Sequence, residues 1–514
     1  MTDTPDLKTT AGKIADLNNR LAESRNPQGG ATADDESPAT GLSARERIDA
    51  LVDAGSFVET DALARHNSTD FGREHDRPYT DGVVTGYATI NGRKACVFSQ
   101  DATIFDGTMG EAYGEKMVKL YDLALKTGVP VIGIHESAGP RVQEGIATLA
   151  LYARVLARIT EASGLIPQIA VVVGDNEGMA AFAPALADFL IFSRDGSLHE
   201  LSPQLTGEAG AQECGGAQAQ TRSGAAHLVA DTDREALALA RTTLRFLPVN
   251  NRAEAPRTQA DISSGSIEDN VRDRDRELNE LVPDAADDDY EIQSVITTVV
   301  DHDSFFELQA DYAPNIVTGF AHIEGRAVGI VANQPQVQGG ALDAAACEKA
   351  ARFIRTCDAF NTPIIEFVDS PGFDSSVEAE ESGLLRRASK LAFAYAEASV
   401  GKISVITRKA YGPAYVFMGS KDLGADLVYA WPTAEMAIAP AELSAQAIYG
   451  ADATDKQVAE IAEKFIGPYA AAERSLADAV IEPATTRGYL VEGLRVLERK
   501  IIRPAPKKLS NIPL

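Results

Sequence analysis

The 514-residue sequence has few cysteines, no long hydrophobic run and fewer basic than acidic residues. Its four cysteines (Cys96, Cys214, Cys347 and Cys357) include no C-x-x-C pair, which argues against a zinc site and against a disulfide framework. No apolar run is long enough to cross a bilayer. The net charge of −27 repels nucleic acid and anionic lipid. We therefore expect no metal site, no membrane span and no nucleic-acid partner.

The N-terminus also lacks the features of a secretion signal. Residues 1–41 are polar and rich in Asp, Thr and Ala, without the basic start and the apolar stretch that such a signal needs. We expect this part of the chain to be a flexible N-terminal segment and the protein to be cytoplasmic.

The rest of the chain contains one pattern twice. Gly86 and Gly319 are 233 positions apart and lie in nearly identical segments, Val84–Ala88 and Val317–Ala321. The same spacing relates three further pairs: Lys116 and Lys349, Pro130 and Pro363, and Gly139 and Gly372. A period this long is not that of a solenoid repeat, and the chain exceeds what one hydrophobic core usually serves. The sequence therefore predicts two duplicated domains.

Each copy is predicted to have an α/β fold. The first reads as strand, helix and strand at Lys94–Phe98, Glu111–Thr127 and Val129–Ile134, and the second at Ala327–Val331, Asp343–Asn361 and Ile364–Val368. This alternation implies right-handed crossover units. Residues 250–289 are charged, interrupted by proline and poor in apolar residues, which predicts a linker there. The predicted domains are therefore residues 42–249 and 290–514.

Four loops follow predicted buried strands and precede helical stretches. They are Ser137–Gly145 and Asp369–Phe373, and a second pair, Gly174–Ala180 and Ala410–Ala414. Such loops can aim backbone N–H groups at an anion or a polarised carbonyl. The alternative is that their glycines only allow tight turns.

Six segments carry a more specific signal. They are Phe98–Asp101, Gly110–Met117, Glu348–Arg355, Ile406–Gly412, Met418–Asp422 and Ala430–Ala434. From about Ala44 to the C-terminus, the chain resembles the carboxyltransferase β subunits of biotin-dependent acyl-CoA carboxylases, of the propionyl-CoA carboxylase type found in actinobacteria.

The resemblance implies a crotonase-like fold in each half and a ring-shaped hexamer. It places acyl-CoA mainly on the N-terminal domain and carboxybiotin on the C-terminal domain of a neighbouring subunit. CO2 moves from biotin to the α-carbon of the acyl thioester, and two oxyanion holes of backbone N–H groups stabilise the negative charge that develops. The chain has no biotinylation segment of the Met-Lys-Met type and no phosphate-binding Gly-rich loop. Biotin is therefore expected on a partner biotin carboxylase or biotin carrier subunit.

By the same resemblance, the candidate residues fall into three groups. The catalytic positions are Gly178, Met179, Pro413 and Ala414. The acyl-CoA-binding positions are Ser137, Ala138, Gly139, Arg141 and Ala180. The biotin-binding positions are Gly372, Phe373, Gly412, Tyr415 and Val416. Arg141 has a second interpretation as an ordinary salt-bridge residue.

The chain departs from the family pattern at these positions. Met179 and Pro413 stand where the family has glycine, and Val416 stands where a polar residue is common. Proline has no N–H to donate, and loss of one oxyanion donor costs on the order of 10²–10³ in rate.

Three functions therefore remain open. One is a carboxyltransferase with weak or absent activity of its own. Another is a catalytically silent structural subunit of a hexamer shared with a β paralogue, as in carboxylases of long-chain acyl-CoA for mycolic-acid synthesis. The third is other CoA chemistry, such as decarboxylation or hydration; the absence of a carboxylate pair at the turns argues against hydration.

Overall fold

The computed structural model describes residues 5–25, 41–200, 213–260, 262–285, 288–502, 506–508 and 510–513. The chain divides into two compact units, Met1–Asn251 and Arg252–Leu514. Part of the segment predicted as a linker is packed, since Leu278 and Val282 are buried in the core of the second unit. The N-terminal segment contains a helix at Thr10–Arg25, most of whose residues are exposed.

The first unit contains strands β1 to β8 and helices α1 to α7. Its described strands are β1 (Val58–Thr60), β2 (Val83–Ile90), β3 (Arg93–Gln100), β4 (Val131–Ser137), β5 (Gln168–Glu177), β6 (Phe189–Ser193), β7 (Ser197–His199) and β8 (Leu228–Ala230). Its described helices are α1 (Thr10–Arg25), α2 (Ala44–Leu51), α3 (Glu111–Thr127), α4 (Ile146–Ala162), α5 (Met179–Ala185), α6 (Ala217–Arg222) and α7 (Asp233–Phe246).

The second unit contains β9 to β16 and α8 to α17. Its described strands are β9 (Phe306–Leu308), β10 (Ile316–Ile323), β11 (Arg326–Asn333), β12 (Ile364–Ser370), β13 (Lys402–Tyr411), β14 (Leu427–Ala430), β15 (Glu435–Ala437) and β16 (Ala479–Val480). Its described helices are α8 (Leu278–Leu281), α9 (Ile292–Val299), α10 (Ala344–Ala359), α11 (Val377–Glu381), α12 (Leu384–Glu397), α13 (Gly412–Phe417), α14 (Ala441–Tyr449), α15 (Asp455–Phe465), α16 (Pro468–Ala472) and α17 (Thr486–Leu497).

The two sheets have the same topology. The first has the order β1-β2-β3-β4-β5-β6-β8, with β7 paired to β5; the second has β9-β10-β11-β12-β13-β14-β16, with β15 paired to β13. In each sheet the first three strands are antiparallel and the others are parallel. The pairing register also repeats, because Gly86 faces Val97 in the first sheet and Gly319 faces Ile330 in the second. The predicted duplicated α/β fold is thus present in both units.

Local sequence explains where the main crossover helices begin and end. Helix α3 buries Tyr113, Met117, Leu120 and Ala124 along one face, which is the spacing of an amphipathic helix. It ends at Gly128, whose φ of 65° is a left-handed conformation that glycine adopts readily. Its counterpart α10 begins after Asp343, whose side chain accepts a hydrogen bond from the N–H of Ala346 and so satisfies one free donor of the first turn.

A buried lysine ties this helix to the sheet in both units. Lys116 Nζ donates to the carbonyl of Thr80 (3.0 Å) and to that of Val83. The repeat-related Lys349 Nζ donates to the carbonyl of Ile316, at 2.8 Å, and Val83 and Ile316 are both first residues of equivalent strands. Burial lowers the pKa of each lysine to about 8. The repeated segment therefore keeps the same polar contact as well as the same motif.

Among the described residues, no helix is long and apolar enough to cross a membrane.

Candidate active site

The four loops singled out from the sequence lie at the carboxyl ends of neighbouring parallel strands. In the first unit, Ser137 at the end of β4 pairs with Asn176 near the end of β5. In the second unit, Ser370 at the end of β12 pairs with Ala410 near the end of β13. Crevices at the carboxyl ends of parallel strands are the usual ligand sites of α/β sheets. Each unit therefore brings its two predicted loops together, as the strand order requires.

The loops after β4 and β12 are held by the same pair of hydrogen bonds. Met109 donates its N–H to the carbonyl of Gly139 (2.9 Å) and accepts the N–H of Arg141 at 3.0 Å. Leu342 does the same with Gly372 (3.0 Å) and Asp374 (2.9 Å) in the second unit. Each loop is thus anchored to the segment that precedes the crossover helix.

Part of the loop after β4 uses its own N–H donors within the chain. The N–H of Ala138 donates to the carbonyl of Asp106 (3.0 Å) and that of Gly139 to Ser137 Oγ (3.3 Å). Ser137 Oγ itself donates to the carbonyl of Gly107 at 2.7 Å. With Pro140 lacking an N–H, residues 138–141 have all their donors engaged within the chain. These hydrogen bonds give residues 138–141 their shape, and the binding of a ligand by the loop Ser137–Gly145 stays a prediction.

Arg141 lies inside the first unit. Its side chain is 1% exposed and its Nη1 donates to Asp81 Oδ1 at 2.7 Å and Glu144 Oε1 at 2.9 Å. Its Nη2 donates to the carbonyls of Asp81 (3.2 Å) and Thr108 (2.8 Å). A guanidinium that makes this many hydrogen bonds to buried partners stabilises the loop. It is not placed to bind the phosphates of a CoA molecule in solvent. The salt-bridge interpretation is the one that the contacts show.

The second pair of loops does present helix N-termini. Gly178 closes β5 with a φ of 54°, and its N–H donates to the carbonyl of His199 at 2.8 Å. Helix α5 begins at the next residue, Met179. The first N–H groups of a helix have no acceptor within the helix. The backbone N–H groups of Met179 and Ala180 are therefore without an intrahelical partner, and they lie just after the end of β5. Ala180 is 2% exposed, and Met179 packs partly against the core of the first unit.

The equivalent turn of the second unit has the same backbone but a different donor set. Gly412 has a φ of 53°, and a Cβ added to it would lie 3.0 Å from the carbonyl oxygen of Ile438. The turn therefore requires glycine there. Pro413 takes the place of Met179, so the equivalent N–H is missing, and Ala414 and Tyr415 follow within helix α13. The turn at Gly412 therefore offers one backbone donor fewer than the turn at Gly178.

Two aromatic rings connect the other predicted biotin-side residues. Phe373 lies edge-on to Phe417, with ring centroids 5.2 Å apart. This contact packs the loop that contains Gly372 against helix α13, on which Tyr415 and Val416 lie. Val416 is 42% exposed and lines a cavity together with Pro413.

Sequence reasoning missed a buried polar pair that contacts the segment after helix α13. Glu366 on β12 is fully buried, and burial raises its pKa to about 8. Ser404 Oγ on β13 lies 2.9 Å from Glu366 Oε2 and 2.5 Å from the carbonyl oxygen of Gly419. A serine hydroxyl has one proton, so both contacts are satisfied when a protonated Glu366 donates to Ser404 and Ser404 donates to Gly419. A charged residue inside the predicted hydrophobic strand Ile364–Val368 was the available signal.

The chain resembles known carboxyltransferases over nearly its whole length. Residues 35–512 match the carboxyl transferase domain family. The chain is 48% identical to the biotin-dependent acetyl-/propionyl-coenzyme A carboxylase beta5 subunit of Mycobacterium tuberculosis, over 99% of this chain and 97% of the relative. It is 46% identical to the propionyl-CoA carboxylase beta chain of Saccharopolyspora erythraea, over 100% and 98%.

Among solved structures, transcarboxylase 12S, described with methylmalonyl-coenzyme A bound and as a hexamer assembly, superposes with a TM-score of 0.93. The two chains are 38% identical, over 98% of this chain and 99% of that one. With two duplicated crotonase-like domains, this chain belongs to the carboxyltransferase β subunits of biotin-dependent acyl-CoA carboxylases.

Proposed function

We propose that this chain, in the cytoplasm, transfers CO2 from carboxybiotin to the α-carbon of an acyl-CoA. The biotin is carried by a partner biotin carboxylase or biotin carrier subunit. One observation carries the proposal: the equivalent strands β5 and β13 are each followed directly by a glycine, with a φ of 54° or 53°, at the start of a helix. Two such N-termini suit a reaction in which two oxygens gain negative charge.

On the acyl side, the N–H groups of Met179 and Ala180 are the proposed donors to the thioester oxygen. The carbonyl of His199 holds Gly178 in place, so the turn is fixed before substrate binds. Such fixed donors stabilise developing charge without reorganising during the reaction. The loop from Ser137 to Arg141 then shapes the neighbouring wall, since its own donors are engaged.

On the biotin side, Pro413 removes one donor from the turn of Gly412 and Ala414. Carboxybiotin supplies the CO2, and the remaining N–H groups of α13 are the ones that can face its ureido oxygen. We expect the chain to have weak activity of its own. Its rate of CO2 transfer is expected to be lower by a factor on the order of 10²–10³ than that of a chain with a glycine in place of Pro413.

A second candidate function follows from the same proline. This chain keeps the fold but lacks one N–H donor at the turn of Gly412, which suits it to be a structural subunit. In a mixed hexamer, a β paralogue would supply turns with all their N–H donors. Carboxylation of long-chain acyl-CoA for mycolic-acid synthesis is the setting in which we place this alternative.

The test is CO2 transfer to propionyl-CoA by the full chain together with a biotin-carrying subunit. Pro413→Gly restores an N–H and is expected to raise the rate by roughly 10²-fold. Met179→Gly enlarges the acyl-side turn and is measured beside it. Pro432→Gly, at an exposed proline after β14, is the matched control and is expected to have the wild-type rate.

Each outcome decides between the functions. Wild-type turnover at an ordinary enzymatic rate, about 1–10³ s⁻¹, would show that Pro413 does not limit the reaction. A silent wild type that raises the activity of a catalytic paralogue would establish the structural role. If neither the wild type nor Pro413→Gly transfers CO2 and no paralogue is activated, the proposed function fails.

A further inference from the structure

Strand β13 contains a bulge just before its last residues. Val368 of β12 pairs with Ile406 of β13. The next paired residues are Ser370 and Ala410, so one residue of β12, Asp369, lies opposite three residues of β13. A β-bulge bends its strand and interrupts the hydrogen bonds of the sheet. After the bulge, β13 leaves β14 and pairs with β15. The bulge therefore sets the direction in which β13 enters the turn that follows it.

The side chain of Asp369 binds this bulge. Its Oδ1 accepts the backbone N–H of Lys409 at 3.1 Å, and its Oδ2 accepts the N–H of Arg408 Nε at 2.9 Å. Arg408 Nη1 in turn donates to the carbonyls of Ala285 and Asp288, both at 2.8 Å. Asp369 is 0% and Arg408 2% exposed. The carboxylate thus supplies an acceptor for an N–H of the bulge, and the guanidinium ties the bulge to the segment before α9.

The first unit has a similar arrangement at the equivalent position. Glu136 is related to Asp369 by the spacing of the repeat, and it also lies opposite three residues of the neighbouring strand, here β5. A Cβ added to Gly174, within that bulge, would lie 2.6 Å from Glu136 Oε1. Glu136 Oε2 accepts a hydrogen bond from Arg47 Nη1 of α2. In both units, a carboxylate bound by an arginine thus lies against the bulge of the strand that leads to a site turn.

We propose that Asp369 and Arg408 are positioning residues for CO2 transfer, which act by fixing the bend of β13 and with it the start of α13. The inference rests on the proposed function, because it takes the turn at Gly412 as the place where carboxybiotin reacts. Asp369 is also the first residue of the other biotin-side loop, Asp369–Phe373. The same ion pair therefore fixes both loops of the second unit relative to each other.

The experiment measures kcat and KM for CO2 transfer to propionyl-CoA by the full chain with a biotin-carrying subunit present. Asp369→Ala removes both acceptors, and Arg408→Lys keeps the charge but cannot make the same set of hydrogen bonds. Each is expected to lower kcat about tenfold or more, because small misplacements of reacting groups are costly. KM for propionyl-CoA is expected to change by less than about twofold, because the proposed acyl-CoA contacts lie in the first unit. Both substitutions are made in the wild type and in Pro413→Gly, whose rate is expected to be higher.

Hydrogen–deuterium exchange of the full chain without substrate gives a readout that does not depend on activity. Asp369→Ala and Arg408→Lys are expected to increase exchange at residues 370–373 and 409–412, because the bend is then no longer fixed. Thermal unfolding of each variant establishes a temperature at which it is folded, and both readouts are taken at that temperature. Should Asp369→Ala fail to fold, Arg408→Lys decides the question.

Arg487→Lys is the matched control. Arg487 also donates to a carboxylate and to a backbone carbonyl, those of Asp301 and Val299. This pair lies at the amino ends of the parallel strands, where Asp301 accepts the N–H of Gly325 in the turn between β10 and β11. The control is therefore expected to keep the wild-type kcat and the wild-type exchange at residues 370–373 and 409–412.

The two readouts separate this inference from the proposed function. If neither the wild type nor Pro413→Gly transfers CO2, the proposed function fails, and the exchange data still decide whether the ion pair fixes the bend. Unchanged exchange at both loops in Asp369→Ala and Arg408→Lys would overturn the inference. So would increased exchange with an unchanged kcat, since the bend would then not matter to the reaction. An equal loss of kcat in Arg487→Lys would show a general effect of buried ion pairs and would also overturn it.

Discussion

At the scale of single residues, the second unit contains a buried carboxyl group paired with a serine. Ser404 Oγ lies between Glu366 Oε2 and the carbonyl oxygen of Gly419, just after the end of helix α13. Burial is the largest cause of the raised pKa of Glu366, and Ser404 and Lys402 oppose it. The carboxyl group of Glu366, with a pKa of about 8, is therefore mainly neutral at pH 7.

This arrangement predicts a dependence of stability on pH. The folded pKa of Glu366, about 8, lies above the value near 4.3 of an unfolded glutamate. Protonated Glu366 thus contributes stability that is complete below about pH 4 and is lost as the pH rises toward 8. We expect the free energy of unfolding to fall by roughly 2–4 kcal/mol between pH 5 and 8 from this group.

Urea unfolding of Glu366→Gln across that pH range measures the effect, because glutamine keeps a donor and cannot ionise. The variant is expected to lose less stability with rising pH than the wild type. Glu463→Gln, at an exposed glutamate of α15, should follow the wild-type curve. Parallel curves for the wild type and Glu366→Gln would contradict the prediction.

At the scale of secondary-structure elements, the repeated glycine of β2 and β10 determines how the sheet edge pairs. A Cβ added to Gly319 would lie 2.5 Å from the carbonyl oxygen of Phe306 on β9. A Cβ added to Gly86 would lie 2.3 Å from that of Val58 on β1. Because both contacts involve backbone, neither can be relieved by a side-chain rotation. The motif that identified the duplication is thus explained by close packing of two strands.

Gly319→Ala should detach β9 from the sheet. We expect faster hydrogen–deuterium exchange at residues 306–308 and a loss of roughly 1–3 kcal/mol in the free energy of unfolding. Exchange measured by mass spectrometry reports the first effect. Gly41→Ala is the control, because its new Cβ would meet nothing closer than 3.7 Å. Unchanged exchange at β9 would show that the strand can shift without cost.

At the scale of the whole molecule, charge opposes association of identical copies. Each chain carries a net charge of −27, so copies repel one another at low ionic strength and less so when salt screens them. The hexamer predicted from the sequence must overcome this repulsion through other contacts.

Sedimentation equilibrium tests the assembly. We expect a species of six times the 54.6 kDa chain mass, with a larger hexamer fraction at about 200 mM than at about 20 mM salt. A monomer at micromolar concentration that transfers CO2 would contradict the proposal. A hexamer whose stability falls as salt rises would show that attractive ion pairs, rather than apolar contacts, hold the copies together.

The sequence determined the duplication, the α/β class and most element positions. The helix predicted at Glu111–Thr127 was found with those bounds, because its apolar spacing and terminal glycine are local properties of the chain. The site loops were also found after their predicted strands, since strand, turn and helix signals lie within a few residues of one another. The missing N–H of Pro413 needed no structure, because it follows from covalent chemistry.

Only the tertiary structure decided which groups remain available to a ligand. Ala138 donates to a residue 32 positions away, Asp106, and Arg141 is paired with Asp81, 60 positions away; neither partner could be read from the loop itself. The cavity that Pro413 and Val416 line likewise includes Ile461 and Leu476, which lie 45 or more positions further along the chain. The physical reason is that hydrogen-bond partners and cavities depend on distances between remote segments, whereas helices, turns and missing donors are properties of neighbouring residues.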